Sequence, residues 1–259
     1  MTPDVERIVL ADAGAVGAHA AARIADAAQR AAAARGRFVV ALAGGSTPRL
    51  AYERLAGASP MPWAATHVWF GDERCVPPDH ADSNYRMACE ALLARVPVPE
   101  GQVVRIEGER APADAAARYD ALLRGDAEGH AGADGAVFDL VLLGVGPDGH
   151  TASLFPGSAV LDERERWAVE VPAPEHVGPH VARVTLTLPA LGAAREVVVL
   201  VTGAEKRSAV AAALGDAALG DAAPAEDASE VPPAGRVRGR ERTVWVMDEA
   251  AAGSVAGPA

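Results

Sequence analysis

The chain has 259 residues, half of them apolar, and a formal net charge of −11. That size suits one large α/β unit or two small ones with a sizeable core, and the acidic balance argues against nucleic acid or an anionic membrane surface as partner. No run approaches the ~20 apolar residues of a membrane span, no secretory leader is expected, and Cys75 and Cys89, outside any metal-ligand or C-x-x-C spacing, are expected to stay reduced in a cytoplasm.

Val5 to Ala11 reads as a first strand. The alanine-rich stretch Asp12 to Arg35 puts Val16, Ala20, Ile24, Ala28 and Ala31 at helical spacing and stops at Gly36. Phe38 to Ala43 is a second strand, followed by Gly44-Gly45-Ser46-Thr47-Pro48. Pro48 suits the first helical position, with Thr47 or Ser46 as cap and Leu55 near the end. A glycine pair between a strand and a helix N-terminus offers free N–H groups at the positive end of the helix dipole, a setting for phosphate. An ordinary capped turn accounts for the same residues. No Gly-Lys-Ser/Thr follows, so this is not a Walker loop.

His67 to Phe70 is a third strand, ending in Gly71-Asp72-Glu73-Arg74. Three charges at a strand end point to the rim where open α/β sheets bind ligands. Ser83-Asn84 opens a helix to about Val96, Gln102 to Ile106 reads as a strand, Pro112 to Leu123 as a helix, and 125–135 as a surface loop.

Phe138 to Val145 is an almost unbroken apolar run, the pattern of a strand covered on both faces. Gly144, Gly146, Pro147 and Gly149 then force a sharp turn that contains Asp148 and His150. A carboxylate and an imidazole two residues apart at a strand end form a candidate acid/base site; the alternative is a loop histidine that caps a helix or faces water. Residues 144–149 also fit G-x-G-x-x-G, but that motif needs a long helix after it. Pro156 and Gly157 leave room for about two turns, so no dinucleotide cofactor is expected.

Trp167 to Val171 is a short strand, 172–180 a loop bearing prolines and histidines, and Arg183 to Leu188 a strand. A helical connection over Leu188 to Ala194 leads to a buried strand, Glu196 to Val201. Thr202-Gly203-Ala204-Glu205-Lys206 then places Lys206 in the first turn of a helix to Leu214. Lys206 is the only lysine in the chain. Either it survives by chance on a solvated helix, or a compact ammonium is needed where a planar guanidinium will not serve; its place beyond a strand end favours the ligand crevice. Residues 215–235 read as an acidic loop, Arg236, Arg238, Arg240 and Arg242 as a solvated strand face, and Thr243 to Met247 as the closing strand, with frayed residues after it. Alternating strands and helices give an α/β fold in one domain over 1–259: a doubly wound, mostly parallel sheet with helices on both faces.

The blocks GGSTP at 44–48, GDER at 71–74, SN at 83–84, GVGPDGHTASLFPG at 144–157, RVTLTLP at 183–189 and VTGAEK at 201–206 together resemble the 6-phosphogluconolactonase family. The likeness runs over nearly the whole chain, and DGHTASLFPG is its most specific part. That family shares a Rossmann-like superfamily with glucosamine-6-phosphate deaminases and ribose-5-phosphate isomerases. The resemblance implies hydrolysis of 6-phosphoglucono-δ-lactone in the oxidative pentose phosphate pathway, on a small sugar phosphate, with no nicotinamide cofactor and no metal.

In that reading His150 is the general base on the attacking water. Asp148 orients the imidazole or simply pins the turn. Arg74 and Lys206, with Ser46, Thr47 and the Gly44 and Gly45 amides, hold the 6-phosphate, and Gly146 belongs to the same binding turn. Asp72 and Arg183 either touch substrate or serve as structural ion-pair partners. Deaminases typically continue after the histidine with Phe-Asn-Glu-Pro, whose glutamate supports ring opening; Thr151-Ala152-Ser153-Leu154 stands there instead. Two departures bear on pocket shape: 172–182 lacks the lysine-and-proline cluster of many members, having Glu175 and His180, and Gly192 stands where asparagine is common. A non-catalytic sugar-phosphate sensor is a third reading, but such proteins normally carry a DNA-binding segment and none is visible. A monomer is the expected state.

Overall fold

The computed structural model describes residues 5–57, 61–130, 137–215 and 230–253, with the backbone alone for 127–130. In chain order the strands are β1 (Val5–Leu10), β2 (Phe38–Leu42), β3 (Thr66–Phe70), β4 (Asp72–Arg74), β5 (Phe138–Gly144), β6 (Ala168–Val171), β7 (Arg183–Leu186), β8 (Ala194–Val201) and β9 (Arg242–Asp248). The helices are α1 (Ala13–Arg35), α2 (Ser46–Gly57), α3 (Asn84–Ala91), α4 (Pro112–His130), α5 (Leu188–Gly192), α6 (Arg207–Leu214), α7 (Pro233–Arg236) and α8 (Glu249–Ala252).

Six strands make one sheet in the order β1-β9-β8-β5-β2-β3, every pairing parallel. β4, β7 and β6 form a small antiparallel sheet beside it. From β2 the chain moves outward to β3, then returns to β5 on the other side of β2 and proceeds to β8 and β9. The direction of winding therefore reverses between β2 and β5, and a crevice opens at their carboxyl ends.

All of β2 and nearly all of β8 and β9 is buried. Strands this apolar on both faces require cover on both sides of the sheet. The cover includes α1, which turns Val16, Ala20, Ile24, Ala28 and Ala31 inward, is capped by Asp12 (Ala15 N donates to Oδ1, 2.8 Å) and ends at left-handed Gly36. The small side chains of that face let helix and sheet approach closely. Leu140 and Leu142 in the middle of β5 are fully buried; truncating either to alanine would cost about 2–5 kcal/mol.

Two buried tyrosines fix the strand ends beside the crevice. Tyr52 of α2 accepts from Ala43 N (2.9 Å) and donates to Ala43 O (2.8 Å) just past β2. Tyr119 of α4 does the same for Phe70 N and O (2.8 and 2.9 Å) at the end of β3. Burial pushes both phenols far above the usual tyrosine range, so each stays a neutral donor and acceptor.

Several segments differ from expectation. Gln102 to Ile106 is not a strand: it makes a single parallel bridge, Val103 to Val68, and then veers off. The chain must pass Arg74 and Val76 so closely that a side chain at Gly108 would overlap their carbonyls. α4 does not stop at Leu123 but runs through Gly125 to His130; of the expected loop only 131–135 lies outside the described residues. α3 ends at Ala91, and Leu93–Arg95 adds a separate 3-10 turn. Arg236, Arg238, Arg240 and Arg242 are not one strand face. Arg236 sits in α7, Arg238 is partly buried and bonded to Val237 O (2.8 Å), and only Arg242 belongs to β9. Within 215–235, Pro233 to Gly235 is helical and buried; 216–229 and the terminal stretch 254–259 lie outside the described residues.

Candidate active site

The loops after β2, β3, β5, β8 and β9 converge on one cleft of about 530 Å³. Its lining includes Gly44, Gly45, Ser46, Thr47, Asp72, Arg74, Gly146, His150, Arg183 and Lys206. Asp148 stands behind the wall, where it supports His150, and Glu73, the third charge after β3, is also outside the lining.

The turn after β5 is built to present that imidazole. Gly146 N donates to His150 O (2.8 Å), Gly149 N to Gly146 O (2.9 Å), and Thr151 Oγ1 to Gly144 O (2.8 Å). The His150 ring lies directly over Gly146, where any Cβ would overlap it; glycine is needed for that approach. No helix follows: Thr151 and Leu154 close a tight turn through a bridge, with Ala152 at φ 48 on the cleft wall.

His150 Nδ1 is 2.5 Å from Asp148 Oδ1, which also accepts the His150 amide (3.1 Å). The other oxygen, Oδ2, takes Nε2 of His176 at 2.9 Å. Burial alone would raise the Asp148 carboxyl, but its hydrogen bonds from His150 and His176 outweigh that and hold it well below the usual carboxylate range. An ionised carboxylate can only accept, so His150 must donate from Nδ1. Its Nε2 is left as the acceptor, on an imidazole that lines the cleft.

Across the cleft, α2 starts at Ser46 and Gly45 O takes the first helical bond from Arg49 N (3.2 Å). Gly45, rather than Thr47 or Ser46, is thus the cap, and Pro48 sits within the first turn. Thr47 Oγ1 is 2.7 Å from Thr202 Oγ1; one hydroxyl must donate to the other, so the pair retains a single proton for a ligand. Asn84 packs where a Gly44 side chain would be and donates to Asp72 O (2.9 Å) and Oδ1 (3.0 Å). Ser153 Oγ donates to Asp72 Oδ2 (2.6 Å). Asp72 is therefore a buried, fully engaged tie between β4, α3 and the turn after β5.

Glu73 faces away from the cleft. It accepts from the amides of Arg74, Asn84 and Tyr85 (2.7 Å each) and from Ser83 Oγ (2.9 Å), capping α3. Burial dominates these bonds and raises its carboxyl above the usual value. Of the three charges at the end of β3, two line the cleft and one builds the frame.

Three cations face the opening. Arg74 Nη1 donates to Asp82 O (2.6 Å), while its buried Nε meets no acceptor among the described residues. Arg183 donates from Nη2 to Gly178 O (3.3 Å) and Pro179 O (3.2 Å), lies over the Phe155 ring, and likewise has a buried Nε without an acceptor. Burial lowers its pKa, with Asp72 opposing and Arg74 reinforcing. Lys206 ends a 3-10 turn after β8, and that turn is pinned by Asp248, which accepts from Gly203 N at 3.1 Å through both oxygens. Burial lowers the Lys206 ammonium below the usual lysine range, against the pull of Glu205 and Asp148. The same lining carries three carboxylates, Asp72, Glu205 and Asp248, so the cations are set among acidic groups within a chain of net charge −11. Among the described residues no cluster of His, Cys, Asp or Glu could hold a metal ion.

Four contributors lie outside the candidate site residues read from the sequence: Asn84, Thr202, Asp248 and His176. The first three could have been found as polar residues flanking strand ends or helix starts. His176 lies in an irregular loop with nothing to mark it.

A family profile described as glucosamine-6-phosphate isomerases/6-phosphogluconolactonase matches residues 11–245. The human 6-phosphogluconolactonase is 42% identical over 225 residues, 85% of this chain and 81% of that one; the rat protein of the same name is 40% identical over 84% of this chain and 80% of its own. Among solved structures, the 6-phosphogluconolactonase of Trypanosoma brucei superposes with a TM-score of 0.81 at 33% identity, covering 98% of this chain and 100% of that one.

Proposed function

The chain belongs to the glucosamine-6-phosphate isomerase/6-phosphogluconolactonase family, and from that premise we propose that it hydrolyses 6-phosphoglucono-δ-lactone to 6-phosphogluconate, a step of the oxidative pentose phosphate pathway. The observation that carries this reading is one cleft holding an imidazole backed by a carboxylate, with Arg74, Arg183 and Lys206 around the same opening. His150 Nε2 takes a proton from water as the oxygen attacks the lactone carbonyl. Asp148 keeps Nδ1 protonated and stabilises the imidazolium. Collapse of the tetrahedral species breaks the bond to the ring oxygen, and the proton on His150 passes to that leaving oxygen. The amides of Gly44 and Gly45 at the start of α2, the Ser46 and Thr47 hydroxyls, Arg74 and Lys206 grip the 6-phosphate, arginine by two oxygens and lysine as a point charge. Arg183, with its free Nε beside Arg74, binds the same anionic substrate, and Asp72 holds the wall. The turn at Gly146 supplies the close approach.

The same reading has the enzyme acting as a monomer and a single domain in the cytoplasm, without nucleic acid or membrane partners and without a cofactor. No helix among the described residues is long and apolar enough to cross a membrane. The test is hydrolysis of freshly generated lactone by the pure protein, with the spontaneous rate subtracted. Catalysis well above background is expected. A rate equal to background, or ammonia release from glucosamine 6-phosphate, would overturn the assignment in favour of the deaminase branch or a non-catalytic sensor.

A further inference from the structure

Building on the lactonase reading, we infer that His176 is a positioning residue for the reaction, fixing Asp148 in the orientation that serves His150. Its Nε2 lies 2.9 Å from Asp148 Oδ2 while His150 Nδ1 lies 2.5 Å from Oδ1, so the carboxylate is held between two imidazoles. The terminal torsion of an aspartate is broad, and the two His150 donors both sit on Oδ1, which leaves the Oδ2 side of the carboxylate free to swing. An N–H on the other oxygen removes that freedom. Since the carboxylate only accepts, His176 donates from Nε2.

The contact is part of a larger clasp. Phe155 sits between the two imidazoles, its ring 4.8 Å from His150 and 5.6 Å from His176, the latter edge-on. The loop that carries His176 is fastened a second time where Arg183 donates to Gly178 O and Pro179 O, and His180 Nδ1 meets Pro174 O at 2.8 Å within it. Val177 of that loop lines the cleft, whereas His176, half exposed, does not. The charged groups facing the pair are Asp148 itself and Lys206, which acts on Asp148 electrostatically, with Arg183 on the far side of Phe155. His176 therefore acts through Asp148 and not on the substrate.

The test compares His176→Ala and His176→Gln in the full chain. The alanine variant should lose about tenfold in kcat, a fraction of the roughly 10²–10⁴ that a general base supplies, with KM unchanged. Glutamine, whose amide can donate to Oδ2, should restore most of the loss. By NMR, the low-field Nδ1–H resonance of His150 should persist in the wild type and in His176→Gln and be lost to exchange in His176→Ala. The inference falls if kcat and that resonance survive in the alanine variant, if KM alone moves, or if glutamine behaves as alanine does. Absence of lactonase activity in the wild type would overturn the lactonase reading instead, and the NMR comparison would still decide the contact.

Discussion

Two carboxylates beyond the ends of the strands that flank β2 receive similar numbers of hydrogen bonds and are driven in opposite directions. Glu73, after β3, is surrounded by backbone amides and one serine hydroxyl, and burial still raises it above its ordinary value. Asp148, after β5, is less buried and is bonded to two imidazoles, and it is held far below. At the deeply buried Glu73 desolvation outweighs four neutral donors, whereas at the half-buried Asp148 the two imidazoles and the His150 amide outweigh it. The first arrangement makes a closed frame with no open valence. The second leaves an acceptor, His150 Nε2, facing a cleft.

The sign of each shift sets a pH dependence. Asp148, depressed in the fold, contributes stability that is present above the ordinary aspartate range and is lost as pH falls through its folded value. Glu73, raised in the fold, does the reverse: its contribution is present at low pH and is lost as pH rises through its folded value.

Substitutions can break this contrast. Asp148→Asn should have the larger effect on turnover, lowering kcat by about 10²–10³ because an amide no longer enforces Nδ1–H on His150 or stabilises its cation, with a smaller fall in melting temperature near neutral pH, where the ionised carboxylate adds stability. Parallel kinetics and thermal melts check it. Glu73→Ala should behave oppositely, costing about 3–4 kcal/mol of stability as buried amides lose their acceptor, with kcat per folded molecule little changed; urea unfolding and active-site titration separate the two. If Glu73→Ala abolished turnover in fully folded protein, the division into frame and site would be wrong.

The cationic side of the cleft sharpens the same contrast with smaller effects. Lys206→Met should weaken 6-phosphogluconate binding about 10–100-fold, the loss of one charged hydrogen bond, with a lesser change in kcat. Burial holds the Lys206 ammonium below the usual lysine range, so product affinity in the wild type should begin to fall at a pH lower than a free lysine would dictate, and the methionine variant should lack that decline. Calorimetric titration across the alkaline range measures both.

Much of this frame is legible in the residues. The unbroken apolar run of β5 and the alternation of strands with alanine-faced helices specify a covered parallel sheet, and the glycines after β2 and β5 mark its ligand-binding end. What was missed depends on contacts between distant segments. Gln102 to Ile106 has strand composition but is steered off the sheet edge by the close pass at Gly108. Gly125 does not end α4, because a glycine inside a helix costs only about 1 kcal/mol, and Asp126 just after it accepts from Arg37 (3.1 Å). Glu73 and Arg74 are adjacent and look equivalent, yet only the fold turns one into a cap and the other into the cleft. His176 acquires its role from a loop that returns 28 residues later to Asp148.

The measurement closest to the central claim is kcat for His150→Ala beside its affinity for 6-phosphogluconate. A fall of about 10²–10⁴ in kcat, with product affinity within about twofold of wild type, is the expected result. A variant that turned over lactone at nearly the wild-type rate would show that this imidazole is not the base.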